Sequence, residues 1–170
     1  MSKNLIIGID AGTSVIKSVA FDLTGRQIAV AAVPNRYTTA EDGSATQPLD
    51  QTWNDSVRSL RQLAEAVPNL AHRVTAVAVT GQGDGTWLID KDHQPVGDAW
   101  LWLDARAGHT AEKLRQSSND EARFLRTGTG LNSCQQGAQF VHMMQHQPEQ
   151  LDRSATAFHC KDWLYMNLTD

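Results

Sequence analysis

The sequence predicts an α/β fold built around a mixed sheet, and three features carry that expectation. Residues 4–10, 15–22 and 27–33 are apolar or β-branched runs joined by tight turns, which makes an antiparallel meander at the N-terminus. A helical apolar period then fills residues 51–66. A further strand-like run, residues 73–80, follows it, so the helix serves as a crossover between strands. Strands, crossover helix, strand and then mostly helices is the order of a layered sheet with flanking helices.

The elements are justified in chain order. Asn-Leu-Ile-Ile-Gly-Ile-Asp over residues 4–10 is nearly continuous in apolar residues, as a central strand buried on both faces would be. Ala11-Gly12-Thr13-Ser14 turns the chain, and Leu23-Thr24-Gly25-Arg26 turns it again. Residues 34–49 are polar and contain proline and glycine, which reads as a loop. Asp50 is positioned to cap the helix at residues 51–66, where Trp53, Val57, Leu60, Leu63, Ala64 and Val67 fall on one stripe. Pro68 and Asn69 stop that helix. After the strand at residues 73–80 come a glycine-rich stretch, a short strand from Thr86 to Asp90, and a turn at residues 91–95. Residues 98–103 run into Asp104-Ala105-Arg106, and helices are expected near 107–117, 120–127, 135–147 and 158–168. The last of these is apolar and reaches the end of the chain with no polar tail.

Composition narrows the function classes. The chain has 170 residues, 41% hydrophobic and 20% charged, which suits a globular domain with a real core. A net charge of −4 and a pI near 5.8, with Lys and Arg scattered, give no footprint for nucleic acid or an anionic membrane. The longest apolar run, Ile28 to Val33, is far too short to cross a bilayer. The start lacks the apolar stretch of a signal peptide. Cys134 and Cys160 stand far apart without CxxC spacing, which fits a reduced, cytoplasmic setting.

Three constellations can carry chemistry. In the first, Asp10, Gly12, Thr13, Ser14 and Lys17 bracket the first turn. Gly12 allows backbone N–H groups to converge on an anion, and the hydroxyls of Thr13 and Ser14 add donors. Asp10 can hold Mg²⁺ through water, and Lys17 returns a positive charge. Ordinary hairpin-turn chemistry gives the same letters. In the second, Gly81-Gln82-Gly83-Asp84-Gly85 lets a ligand approach the backbone. There the Gln82 amide and the Asp84 carboxylate suit the vicinal hydroxyls of a polyol, although an unliganded flexible loop reads the same way. In the third, Trp100, Trp102, Asp104 and Arg106 would form the wall of a sugar pocket, or else core packing beside an ion pair, with one indole expected in the core and the other in the pocket. His142 and His146 lie one helical turn apart but lack a third metal ligand, so they read as a half-exposed helix face, with Met143 and Met144 as packing residues. Cys134 has no identified base.

Four segments in register resemble the FGGY carbohydrate kinases: Ile7 to Lys17 (IGIDAGTSVIK), Val79 to Gly85 (VTGQGDG), Trp102 to Arg106 (WLDAR) and Lys161 to Thr169 (KDWLYMNLT). The resemblance covers essentially the whole chain. It implies an actin-like, ribonuclease H-like ATPase fold, here incomplete. Residues 1–170 would form a truncated N-terminal, sugar-binding FGGY domain, with the C-terminal ATP-binding domain absent. The reaction implied is transfer of the ATP γ-phosphate to a hydroxyl of an erythritol- or xylulose-like polyol or ketose, with ATP and Mg²⁺ as cofactors. By resemblance, Asp10, Gly12, Thr13, Ser14 and Lys17 belong to the phosphate loop, and Gln82, Gly83, Asp84, Trp102, Asp104 and Arg106 to the sugar side. Gly83-Asp84 stands where xylulokinases carry Met-His and glycerol kinases Arg-Glu, a pattern that looks most like the erythritol kinase or polyol branch, with ketopentose and sugar-acid kinases left open. The general-base aspartate would lie beyond residue 170. Asp162 is expected to cap or orient its helix, and Asp170 is not taken as the base.

Two other readings stand beside this one. The 170-residue chain is a catalytically inert fragment that keeps only a sugar-binding or assembly surface, or it is another superfamily member such as an acetate kinase or cell-shape ATPase. The final helix is expected to expose Trp163, Leu164 and Leu168, to be covered by self-association or by a separate C-terminal chain.

Overall fold

The computed structural model describes residues 3–169, in two compact units. Among the described residues, the first unit comprises residues 3–37, 48–82 and 160–169. It holds β1 (Leu5–Ala11), β2 (Val15–Asp22), β3 (Gln27–Pro34), helix α1 (Leu49–Ala66), the short α2 (Leu70–Arg73) and two elements from farther along the chain. Those two are β6 (Val74–Gly81) and α7 (Cys160–Thr169), and Asp170 lies outside the described residues. The sheet order is β3-β2-β1-β6, antiparallel through the meander and parallel between β1 and β6, which is the mixed sheet expected.

Alternation in β1 and β2 sets which face is buried. Leu5, Ile7, Ile9 and Ala11 of β1, with Ile16, Ser18 and Ala20 of β2, are buried. This is the face on which α1 lies, and Ser18 Oγ meets Ser59 Oγ of α1 at 2.6 Å. Each fully buried Leu or Ile here contributes roughly 1.5–3 kcal/mol. Ile6, Val15, Ile28 and Val30, on the opposite face, stay exposed. β1 is therefore buried on one face only, and β6 is largely exposed, with Val77 at 47%.

Helix α1 differs from expectation in two ways. Pro48 occupies its N-cap without a side-chain capping bond, and Asp50 sits in the first turn instead, where a negative charge still favours the helix dipole. The buried positions are Leu49, Thr52, Asp55, Ser56, Ser59 and Leu63, so that of the expected stripe only Leu63 and, just past the helix, Val67 are buried. Trp53, Val57, Leu60 and Ala64 instead line an apolar groove of about 280 Å³ with Ile9, Leu164 and Leu168. Small hydroxyl residues let the helix approach the sheet closely, and their hydroxyls bond within the helix or across to Ser18.

The final helix also corrects the reading of an exposed face. Trp163 and Leu164 are buried, and Trp163 Nε1–H donates to Leu49 O at 2.9 Å. Leu168 is 39% exposed, and Tyr165, which was not singled out, is 63% exposed. Asp162 lies in the first turn of α7, where its negative charge favours the helix dipole.

The second unit comprises Thr38–Gln47 and Gly83–His159. The stretch read as a loop contains β4 (Thr38–Thr39) and β5 (Ala45–Gln47); β4 pairs with β5, and β5 with β8 (Ala99–Trp100), in a three-stranded sheet of order β4-β5-β8. A second small sheet joins β7 (Trp87–Ile89) to β9 (Thr156–Phe158), the latter lying where helix was expected to begin. Helices α3 (Gly108–Arg115), α4 (Asp120–Thr127) and α5 (Gln136–His146) fall close to their expected places, and α6 (Pro148–Asp152) is an additional short turn. The core gathers Leu88, Val96, Trp100 and Met143. Met144 is 65% exposed, so only one of the two methionines packs as expected.

Candidate functional site

In the first unit the sheet brings one set of expected residues together. Asp10 stands near the C-terminal end of β1, directly opposite Lys17 of β2 and beside Thr80 of β6. Ala11 pairs with Gly81, so Gln82 emerges from β6 next to the turn that follows β1. Asp10 and Lys17 share the open face of the sheet and are both exposed. Gln82 is buried.

The turn itself is sterically tuned. A Cβ at Gly12 would stand 2.8 Å from the carbonyl oxygen of Val15, so a side chain there would force the turn open. Asn35 Nδ2 donates to Gly12 O at 2.9 Å, and the Asn35 backbone N–H donates to Ser14 O, also at 2.9 Å. The sequence reading did not single out Asn35, because it lies in a polar stretch with no motif around it. Beneath this end of the sheet, Cys160 Sγ lies 3.8 Å from Ala11 O, and burial pushes its thiol up to about 12. It is a packed group, not a nucleophile.

In the second unit, Gly83 is open: a Cβ there would meet nothing within 4 Å. Gly85 is the opposite case, with φ at +101° and a Cβ position only 2.4 Å from Trp100 O. Asp84 is thus carried between an open position and a locked one. The Gly85 N–H donates to Cys134 O at 3.0 Å, and Cys134 Sγ lies 3.8 Å from Asp84 Oδ2. Burial, with the neighbouring Asp84 charge, raises the Cys134 thiol above its ordinary value.

The third constellation resolves into a brace and an exposed indole. Asp104 is buried, and Oδ2 accepts the Ala45 N–H at 2.9 Å and Arg106 Nη2 at 2.6 Å. Oδ1 accepts the backbone N–H and Nε of Arg106, each at 3.1 Å. The four lone-pair directions of the carboxylate are therefore engaged within the protein. Arg106 Cζ in turn sits 3.4 Å from the centroid of the Trp100 ring. Trp100 is 2% exposed and Trp102 is 49% exposed, so one indole lies in the core, as expected, and the other on the surface. His142 meets Trp100 edge-on at 5.9 Å and His146 at 4.3 Å. Desolvation, His146 and Arg106 hold His142 below its ordinary pKa.

A strand-delivered aspartate, a glycine-tuned turn and a parallel neighbour strand in a mixed sheet agree with the actin-like sugar-kinase fold that the resemblance implies. Residues 5–170 match the N-terminal domain of the FGGY family of carbohydrate kinases, and the chain belongs to that family. It is 61% identical over 166 residues to an erythritol kinase from Brucella abortus, covering 98% of this chain and 32% of that protein. It is 25% identical to a probable L-xylulose kinase from Pasteurella multocida, covering 98% of this chain and 34% of that protein. Among solved structures, xylulose kinase from Rhodospirillum rubrum superposes with a TM-score of 0.89 at 25% identity, over 95% of this chain and 33% of that one. Glycerol kinase from Plasmodium falciparum with ADP gives a TM-score of 0.84 at 20% identity, over 99% of this chain and 35% of that one, a likeness of fold. The chain thus spans about a third of the length of these relatives. No helix among the described residues is long and apolar enough to cross a membrane.

Proposed function

We propose that the chain is the substrate-side part of a polyol kinase, and that its parent protein transfers the ATP γ-phosphate to a hydroxyl of erythritol or a similar polyol. The observation that carries this reading is the 61% identity to an erythritol kinase along 98% of the chain. The geometry supports it. Gly83 leaves space beside the Asp84 carboxylate, which suits vicinal hydroxyls, and the exposed Trp102 offers an indole face to sugar C–H groups. Asp104 acts indirectly, holding Arg106 and the Ala45 strand in place.

On the nucleotide side, the turn Gly12–Ser14 is read as the phosphate loop: glycine permits its tight backbone, and Thr13 and Ser14 supply hydroxyl donors. Asp10 is exposed at the strand end and suits Mg²⁺ held through water, with Lys17 opposite it. Bound Mg²⁺ would neutralise charge developing on the transferring phosphoryl group. The general base and the adenine contacts belong to the two thirds of the relatives' length that this chain does not span. That same share of chain is the proposed cover for the open sheet face and the apolar groove of the first unit. The setting is cytoplasmic, where ATP is available.

The coverage of only 32% also favours a second reading, in which these 170 residues bind polyol but do not turn over. One experiment separates the two. The purified chain is titrated with erythritol by ¹H–¹⁵N NMR, then assayed with ATP, Mg²⁺ and erythritol. Binding without turnover supports the inert reading, and turnover supports a self-sufficient kinase. Asp84→Ala should weaken erythritol binding at least roughly tenfold, the worth of a charge-assisted hydrogen bond. Unchanged binding in Asp84→Ala would remove Asp84 from the site.

A further inference from the structure

Asn35 follows the last residue of β3 and is 3% exposed. Its side-chain amide donates to Gly12 O and its backbone N–H donates to Ser14 O, so it holds the turn at both ends. The polarity of the first bond is fixed, since a carbonyl only accepts. In a trans peptide the C=O and the following N–H point opposite ways. Drawing Gly12 O toward Asn35 therefore sends the Thr13 N–H to the other side of that plane.

The remaining atom of the amide is the informative one. Among the described residues, Asn35 Oδ1 is buried with no hydrogen-bond partner. An acceptor desolvated without compensation destabilises the fold. A residue serving only to end the strand could be apolar, as Leu is, and carry no such cost. The donor is what the position retains.

We propose that Asn35 is a positioning residue that sets the Gly12–Thr13 peptide plane, so that the turn presents its N–H groups to a phosphate. The proposal rests on the phosphate reading of this turn given above. Its chemistry is narrow: the position needs a neutral donor within reach of Gly12 O. An acidic side chain of the same shape turns acceptor toward acceptor when ionised, and becomes a donor only when protonated.

The test titrates the 170-residue chain with Mg²⁺–tripolyphosphate, following the amides of Gly12, Thr13 and Ser14 by ¹H–¹⁵N NMR. Asn35→Ala is expected to weaken binding roughly tenfold and to shift those amides in the free protein. Asn35→Asp is expected to be as weak near neutral pH. Measured against the wild type at each pH, it should recover as the pH falls and its carboxyl protonates. Ser18→Ala is the control: it breaks the buried Ser18–Ser59 pair without touching the turn, and should stay within about twofold of wild type. Should Asn35→Ala fail to fold, the Asn35→Asp pH profile still decides. Binding within twofold for Asn35→Ala, or an Asn35→Asp profile parallel to wild type, overturns the proposal. If the wild type shows no response to tripolyphosphate, the phosphate reading falls. The role of Asn35 is then judged on the free spectra, where unshifted Gly12–Ser14 amides in Asn35→Ala overturn it as well.

Discussion

Single residues decide what each half of the candidate site can do. Gly12 and Gly85 are fixed by carbonyl oxygens, at 2.8 Å from Val15 O and 2.4 Å from Trp100 O, whereas Gly83 is bounded by nothing. The motif letters are the same, yet two glycines serve the backbone and the third leaves room. Cys160 carries a prediction at this scale. Burial raises its thiol from the ordinary 9.0 to about 12, so between those values the folded chain holds a proton that the unfolded chain has lost. Stability then falls as pH rises through that window and is unaffected below it. Urea unfolding from pH 8 to pH 11 should show the loss, and Cys160→Ala should flatten it. A slope unchanged in Cys160→Ala would assign the loss to other groups.

At the scale of elements, α1 shows how an apolar pattern can mislead. Most of its large apolar residues lie along the groove, while the buried positions include Thr52, Ser56, Ser59 and Leu63, and Ser59 meets Ser18 of β2. A helix set close to a sheet needs small side chains at the contact, and periodicity of hydrophobicity alone does not report closeness. Leu63→Ala should therefore cost about 2–5 kcal/mol. Leu60→Ala, half-exposed in the groove, should cost less than about 1 kcal/mol. Urea midpoints for the pair check this, and equal losses would place both side chains in the core. The short strands β4 and β5 were illegible for a different reason. Two or three residues contain no period, and what makes them strands is pairing: β4 with β5, and β5 with β8, dozens of residues later.

At the scale of the whole molecule, the first unit is a sheet with one face covered and, among the described residues, two edge strands, β3 and β6, each paired on one side only. β6 hydrogen-bonds to β1 only, and Ile6, Val15, Val30 and Val77 are exposed. Such an edge is open to pairing with a further strand. Hydrogen exchange should show residues 74–81 exchanging markedly faster than residues 5–11 in this chain, with the difference shrinking in a version extended to the relatives' length. Equal protection of the two strands in the 170-residue chain would count against the open edge.

The sequence alone determined the meander, the crossover helix, the parallel fourth strand and the four motif segments, because each rests on local patterning or on residue types at fixed spacing. It also placed Trp100 and Trp102 on different sides of the core boundary. Only the tertiary structure decided which side of α1 meets the sheet, that Trp163 and Leu164 are covered, and that Asp104 is occupied by Ala45 and Arg106. It alone brought Asn35 onto the Gly12–Ser14 turn, 23 residues away from Gly12 along the chain. Contacts of that kind depend on where the chain returns in space. No window of sequence short enough to show a period contains both partners.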